Sequence, residues 1–381
     1  MNIVDKKKIL SFIYFLPFLI LKKIFQKKWP KTIKKILVIQ WDYLGDIILS
    51  TPALNLLKET YKSSEIHLLT SSGNQMYINN YPFVEKIIYI NNPLHLGRVR
   101  FNLKNIVNSI IELRKESYDL IIELSGSLPN QIFLPFLRGK YFIGKDPTRC
   151  TFVLDRSLIS SFKKKQIEEN VDLIKLAANI EFGECGQSPL WDPTNDYDLF
   201  EINELKSRYV AGNEFVILHV AVSWAPRRWP LEKWVEVAEY LANSGYHIVF
   251  IGSRDDSDII ERIRKLMSGT NSVNLAGKTD IRQLILLMKN AQLFIGVDSG
   301  PMHLAAVAKL KGVVLFGPAD PSKWSHPDLH SIVCKYPFCC PCPQLPTKDV
   351  CEKGFKTCKG LSAISSGEVI IECKKLLNCI I

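Results

Sequence analysis

The stretch LFIGVDSGPMHLAAVAKLKGVVLFG, Leu293–Gly317, decides the fold. Leu293–Val297 is short, continuous and apolar, as expected of a strand buried on both faces. A helix follows at once, with Pro301 at its first position, where a missing N–H removes no intrahelical bond. Gly312–Gly317 then supplies another buried strand. Strand, helix and strand in such quick succession make a βαβ unit in a parallel sheet.

The same alternation extends in both directions. Ile36–Ile39, Ser64–Thr70, Glu85–Ile90, Tyr118–Leu124 and Lys140–Lys145 read as strands, with helices at Asn105–Ser117 and Ile167–Ile180 among the segments between them. Phe182–Phe200 breaks the pattern, being rich in Gly, Pro, Asp and Asn without periodicity, and reads as a linker. After it the alternation restarts with FVILHVA (215–221), LEKWVEVAEYLANSG (231–245), HIVFIG (247–252), SDIIERIRKLM (257–267), SVNLAG (272–277) and DIRQLILLMKNA (280–291). A length of 381 residues accommodates two such units. The expectation is an α/β chain of two doubly wound, Rossmann-like domains, at 36–185 and 200–335. A basic, apolar segment (1–35) precedes them, and a cysteine-rich segment with a final helix (336–381) follows. In such sheets ligands sit at the carboxyl ends of the strands, here expected in a cleft between the domains.

The formal charge of +11 is local. Residues 1–35 hold ten lysines against the single acid Asp5, and the rest of the chain is nearly balanced, with 39 basic and 37 acidic residues. A nucleic-acid binder, which needs a basic face on its fold, is disfavoured. Within the basic segment lies ILSFIYFLPFLIL, Ile9–Leu21. It is too short to span a bilayer and carries Pro17. More lysines follow it, with no small-residue cleavage site. The segment suits the inner surface of an anionic cytoplasmic membrane; the alternative is a helix packed on the first domain with solvated lysines, and the doubled lysine flanks favour the membrane. The protein is therefore expected in the cytoplasm, peripheral on that membrane.

Three loops carry chemistry. Asp298-Ser299-Gly300 joins a strand tip to a helix start, where free N–H groups, the helix dipole and the small Gly300 suit a diphosphate, with His303 one turn in. An ordinary cap by Ser299 with a packed histidine explains the same residues equally well. SWAPRRWP, Ser223–Pro230, places Arg227 and Arg228 after a strand, where a guanidinium fork can hold phosphate without a metal. WDYLGDIILSTPAL, Trp41–Leu54, offers Gly45, the carboxylate of Asp46 and Thr51, and Asp46 can deprotonate a hydroxyl nucleophile. Asp42 reads better as a cap. Asp256–Asp258 and Asp196–Asp198 match a metal-binding Asp-x-Asp in letters only.

Eight of the ten cysteines lie after residue 333. Cys339, Cys342, Cys351 and Cys358 have spacings open to a tetrahedral zinc or iron, and equally to reduced free thiols.

GDIILSTPAL (45–54), RRWPLEKW (227–234), Asn274–Ala306 and VVLFGPADPSKW (313–324), in this order and spacing, resemble glycosyltransferase family 9, the heptosyltransferases of lipopolysaccharide core synthesis. The resemblance covers roughly 35–370 and implies a GT-B fold. It also implies transfer of heptose from ADP-heptose, or another nucleotide sugar, to a hydroxyl of a lipid-linked glycan, with inversion and no catalytic cofactor. Asp46 falls on the family's catalytic aspartate, and Asp298, Ser299 and Gly300 on its donor site. Arg227 stands where many relatives carry lysine, and Asp255 lies near the ribose-binding acid. A non-catalytic nucleotide-sugar or glycan binder of the same fold is the alternative, against which the intact Gly45-Asp46 pair argues.

Overall fold

The structure, a computed structural model, describes residues 29–30, 32–75, 78, 81–90, 103–146, 153–160, 164–181, 189–194, 199–220, 225–269, 271–336, 340–342 and 357–377. The apolar run Ile9–Leu21 and most of its lysine flanks lie outside the described residues, as do Cys339, Cys351 and Asp196–Asp198. The chain divides into two compact units, Met1–Gln187 and Ser188–Ile381.

In the first unit β1 (Lys35–Gln40) is the central strand, with Ile36, Leu37, Val38 and Ile39 fully buried. It pairs in parallel with β2 (Glu65–Thr70) on one side and β4 (Tyr118–Glu123) on the other, Ile36 lying opposite both Ile66 and Leu120. Adding β3 (Lys86–Tyr89), β5 (Gly139–Lys145) and β6 (Arg156–Leu158) gives a six-stranded sheet in the order β3-β2-β1-β4-β5-β6. The order reverses between β1 and β4, so the loops after these two strands flank a topological switch point. The unit's helices are α1 (Leu44–Thr60), α2 (Leu103–Leu113), α3 (Leu128–Phe133) and α4 (Gln166–Ala178).

Pro52 lies inside α1 and lacks the N–H that would reach the carbonyl of Ile48. The Thr51 hydroxyl donates to that carbonyl instead, at 2.8 Å. One residue earlier the carbonyl of Ile47 accepts from the hydroxyls of Ser50 (2.7 Å) and Tyr81 (3.0 Å). The Ser-Thr-Pro run is thus a self-repaired helix interruption.

The second unit repeats the plan. Its helices are α5 (Leu199–Val210), α6 (Leu231–Asn243), α7 (Ser257–Leu266), α8 (Ile281–Asn290), α9 (Gly300–Val307), α10 (Pro321–Trp324), α11 (Lys359–Ala363) and α12 (Ser366–Leu376). Its strands β7 (Phe215–His219), β8 (His247–Phe250), β9 (Ser272–Asn274), β10 (Leu293–Val297), β11 (Gly312–Phe316) and β12 (His330–Cys334) pair in parallel in the order β12-β11-β10-β7-β8-β9. The switch point lies between β7 and β10.

Residues 357–377 are not an appendage. Cys358, Leu361, Ile364, Val369 and Cys373 are buried in the second unit's core. Gly317 allows the approach, since a Cβ there would stand 2.9 Å from Cβ of Leu361. The indole N–H of Trp229 donates to the carbonyl of Ile364, and the Lys233 ammonium donates to those of Ser362 and Ile364. The tail therefore braces the start of α6, next to the two arginines. Among the described residues, no helix is long and apolar enough to cross a membrane.

Candidate functional site

The second unit gathers its polar groups at the carboxyl edge of the β7/β10 switch point. β7 is aliphatic until its last residue, His219, which is 5% exposed. β10 runs into Asp298, 7% exposed, and Ser299, after which α9 starts at Gly300, one residue before the expected proline. Arg227 ends a single 3-10 turn, Ala225–Arg227. Its guanidinium donates to the Asp298 carbonyl at 3.3 Å and lies 3.5 Å from the Asp298 carboxylate. Burial pushes the pKa of Asp298 up, and Arg227 opposes the shift. Arg228 is exposed.

Ser299 occupies the N-cap position of α9, yet its hydroxyl does not cap the helix. It donates to the Val297 carbonyl at 2.9 Å and meets Nδ1 of His219 at 3.0 Å. The ordinary-cap reading of this serine is therefore incorrect. Pro301 brings no N–H, so the first turn of α9 is served neither by a capping side chain nor by a full set of donors. His303 is 4% exposed and its Nδ1 lies 2.8 Å from Nε2 of His326. Burial first, then His326, His330 and Arg227, hold its pKa well below the usual imidazole value.

After β8, Asp256 accepts from the N–H and the hydroxyl of Ser253, both at 2.7 Å, whereas Asp255 is exposed. Asp256 is also the acid whose field reaches His219, opposing the burial that pushes that imidazole down to about 4. The Asp-x-Asp run Asp256–Asp258 splits between this turn and α7.

In the first unit Gly45 is buried at the second position of α1 and Asp46 is the third residue, partly exposed, with Oδ2 accepting the Tyr43 N–H at 3.2 Å. The carboxylate thus stands in the first turn of the helix. Thr51, offered with Gly45 and Asp46 as a candidate on the acceptor side, is fully buried in the body of α1, its hydroxyl occupied in replacing the Pro52 N–H.

Two polar residues without a distinctive sequence motif stand at the β1/β4 switch point. Glu123 ends β4 fully buried and accepts from the N–H groups of Ser125 (3.0 Å) and Gly126 (2.9 Å) and from the Asn130 amide (3.1 Å). Burial, with Asp42 adding to it, pushes its carboxyl up to about 7, against Asn130, Gly126 and Lys145. Gln40 ends β1, is also fully buried, and accepts the Ser125 hydroxyl at 3.1 Å. Gln40, Glu123 and His219 share one signal: each is the polar residue that ends a run of aliphatic residues in its strand.

Of the four cysteines considered for a metal, Cys339 and Cys351 lie outside the described residues. Buried Cys358 faces Cys340, which was not among the four, at 3.3 Å between sulfurs. Among the described residues no group of three or more His, Cys, Asp or Glu is disposed to hold a metal.

The model of glycosyltransferase family 9 (heptosyltransferase) matches residues 107–338. Lipopolysaccharide heptosyltransferase 3 of Escherichia coli K12 is 26% identical over 302 residues, covering 74% of this chain and 82% of that protein. Two solved structures superpose over nearly the whole chain. A glycosyl transferase family 9 protein from Veillonella parvula has a TM-score of 0.69 at 20% identity, covering 91% of this chain and 97% of its own. E. coli ADP-heptose LPS heptosyltransferase II has a TM-score of 0.68 at 19% identity, covering 90% and 98%. At these identities the structural likeness speaks for the fold, the two-unit α/β architecture of GT-B proteins. With the family model spanning more than half of its length, the chain belongs to glycosyltransferase family 9 and is a glycosyltransferase.

Proposed function

We propose that this enzyme moves heptose from ADP-heptose to a hydroxyl of a lipopolysaccharide core or related lipid-linked glycan, inverting the anomeric centre. The observation that carries the reading is the β10–α9 junction, where the Arg227 guanidinium rests on Asp298 beside a helix start that Ser299 leaves uncapped. A cation beside the N-terminus of a helix suits a diphosphate leaving group. Membership of the family and the named activities of the relatives support heptose as the sugar and ADP as its carrier.

In this reading the second unit holds the donor through Arg227, Asp298, Ser299, Gly300 and His303, with Asp255 toward the ribose, and the first unit holds the acceptor. Asp46 takes the proton of the acceptor hydroxyl as its oxygen bonds to the anomeric carbon. The glycosidic C–O bond breaks on the opposite face, and its electron pair leaves on ADP. Arg227 and the α9 N–H groups stabilise that charge, the task a metal performs in other transferases. The lysine-flanked segment Ile9–Leu21 is proposed to hold the enzyme at an anionic membrane surface on the cytoplasmic side, near the lipid-linked acceptor. Deleting residues 1–28 is then expected to abolish cosedimentation with anionic phospholipid vesicles, and undiminished cosedimentation would refute that role.

A thermal-shift panel of ADP, UDP, GDP and CMP tests the donor. ADP is expected to raise the melting temperature most. Preferential stabilisation by UDP or GDP would overturn the ADP-heptose assignment while leaving the fold intact.

A further inference from the structure

We infer that His219 is a positioning residue of the donor site, which keeps the Ser299 hydroxyl turned away from the α9 N-terminus so that the helix start stays open to the donor's diphosphate. The inference rests on the donor reading given above and names a residue to which nothing in the sequence assigned a role.

Serine at an N-cap normally turns its oxygen onto the N–H groups of the first helical turn. Here the hydroxyl points the other way, held by two partners in the strands: the Val297 carbonyl at 2.9 Å and the His219 ring at 3.0 Å. One hydroxyl has one proton. With that proton on Val297, the serine oxygen accepts from His219, whose proton then sits on Nδ1. The imidazole suits this task because it is neutral, burial having pushed it down to about 4. A neutral ring adds no charge beside the Arg227–Asp298 pair and offers one fixed donor.

The fold makes room for the contact. His219 lies opposite Gly296 in the β7/β10 register. A Cβ at Gly296 would stand 2.6 Å from the Phe294 ring and 3.4 Å from Cβ of His219. Glycine there lets the histidine stand at the strand end and reach across to Ser299.

The test is a double-mutant cycle on ADP affinity, read by calorimetry. His219→Ala is expected to weaken ADP binding about five- to tenfold, the value of one hydrogen bond that orders a site. In a Ser299→Ala background the same change should cost less than twofold, because no hydroxyl remains to be held. His219→Asn, whose amide donor stands near the place of Nδ1–H, should bind within about twofold of the wild type. Since His219 acts on the seat and not on the reacting atoms, its loss should raise the donor KM while kcat at saturating donor stays within about twofold. In case the alanine variant does not fold, nitrogen-correlated NMR of the wild-type enzyme should find His219 protonated on Nδ1. An equal cost of His219→Ala in both backgrounds, or protonation on Nε2, would overturn the inference. If Arg227 variants also leave ADP affinity unchanged, the donor reading itself fails; if they lower it and His219→Ala does not, only the inference fails.

Discussion

Replacing Arg227 by methionine removes a guanidinium in contact with Asp298, at 3.3 Å from its carbonyl and 3.5 Å from its carboxylate. Breaking a fully buried ion pair by removing one partner costs about 3–5 kcal/mol. Here the arginine side chain is 24% exposed and the contact is long, which reduces the expected cost to roughly 1–2 kcal/mol. For a unit of this size that is a fall in melting temperature of about 2–8 °C. The loss depends on pH with a definite sign. Burial raises the folded pKa of Asp298, so its contribution to stability is present below the unfolded pKa and is lost as pH rises through the folded one. Removing Arg227 raises the folded pKa further, so the deficit of Arg227→Met should be larger at pH 8 than at pH 5. For the ligand, loss of a charge-assisted hydrogen bond to phosphate costs about 1.5–3 kcal/mol, or about 10- to 150-fold in the Kd for ADP. Arg227→Lys keeps the charge and loses the fork, and is expected to weaken binding only about three- to tenfold. Calorimetric titration of ADP at pH 7.5, with melting curves at both pH values, reads all three effects. A folded Arg227→Met enzyme that binds ADP within twofold of the wild type would refute the assignment of this arginine to the donor.

Asp298→Asn removes a buried charge whose ionised form the fold disfavours, so the variant should melt no lower than the wild type at pH 7.5 and bind ADP-heptose more weakly. A pH-independent drop in its melting temperature would contradict this. Glu123, pushed up to about 7, stabilises the first unit fully below the unfolded carboxylate range, and this contribution is lost as pH rises through 7, to a limit of about 3 kcal/mol. Glu123→Gln, whose amide nitrogen would face the Gly126 N–H, should therefore be less stable than wild type at pH 5, with the gap closing by pH 8; a constant gap in denaturant titrations would exclude the titration. Thr51→Val removes the hydroxyl donated to the Ile48 carbonyl and should destabilise by about 1–2 kcal/mol with no change in kcat, whereas a loss of kcat alone would return Thr51 to the acceptor site.

Most of the architecture was legible because doubly wound sheets write themselves plainly. Ile36–Ile39, Phe215–Leu218 and Leu293–Val297 are continuous apolar runs, and all are completely or almost completely buried. What escaped notice lacks that signature. β6 is only Arg-Ser-Leu, β12 opens on the buried His330, and α5 is a charged helix starting inside a stretch read as linker. The C-terminal segment looked separate because its cysteines stood out, yet its Leu361, Val369 and Cys373 complete the second core.

At the site, residue types and positions could be read from the sequence but side-chain directions could not. Ser299 sits where a cap belongs, and its hydroxyl meets the Val297 carbonyl and the His219 ring instead. Thr51 follows Gly45 and Asp46 on the same helix, and nothing in the sequence shows that its hydroxyl is spent on the Ile48 carbonyl that Pro52 leaves without an N–H. Asp255 and Asp256 are adjacent in sequence, but one is exposed and the other caps a turn.

The account turns on Asp46 as the group that activates the acceptor. The direct measurement is steady-state transfer from ADP-heptose to a lipopolysaccharide-core acceptor by Asp46→Asn, alongside its calorimetric affinity for ADP. Loss of a general base is expected to lower kcat by about 10²- to 10⁴-fold while the Kd for ADP stays within about twofold. Near-normal kcat in the variant would contradict the account.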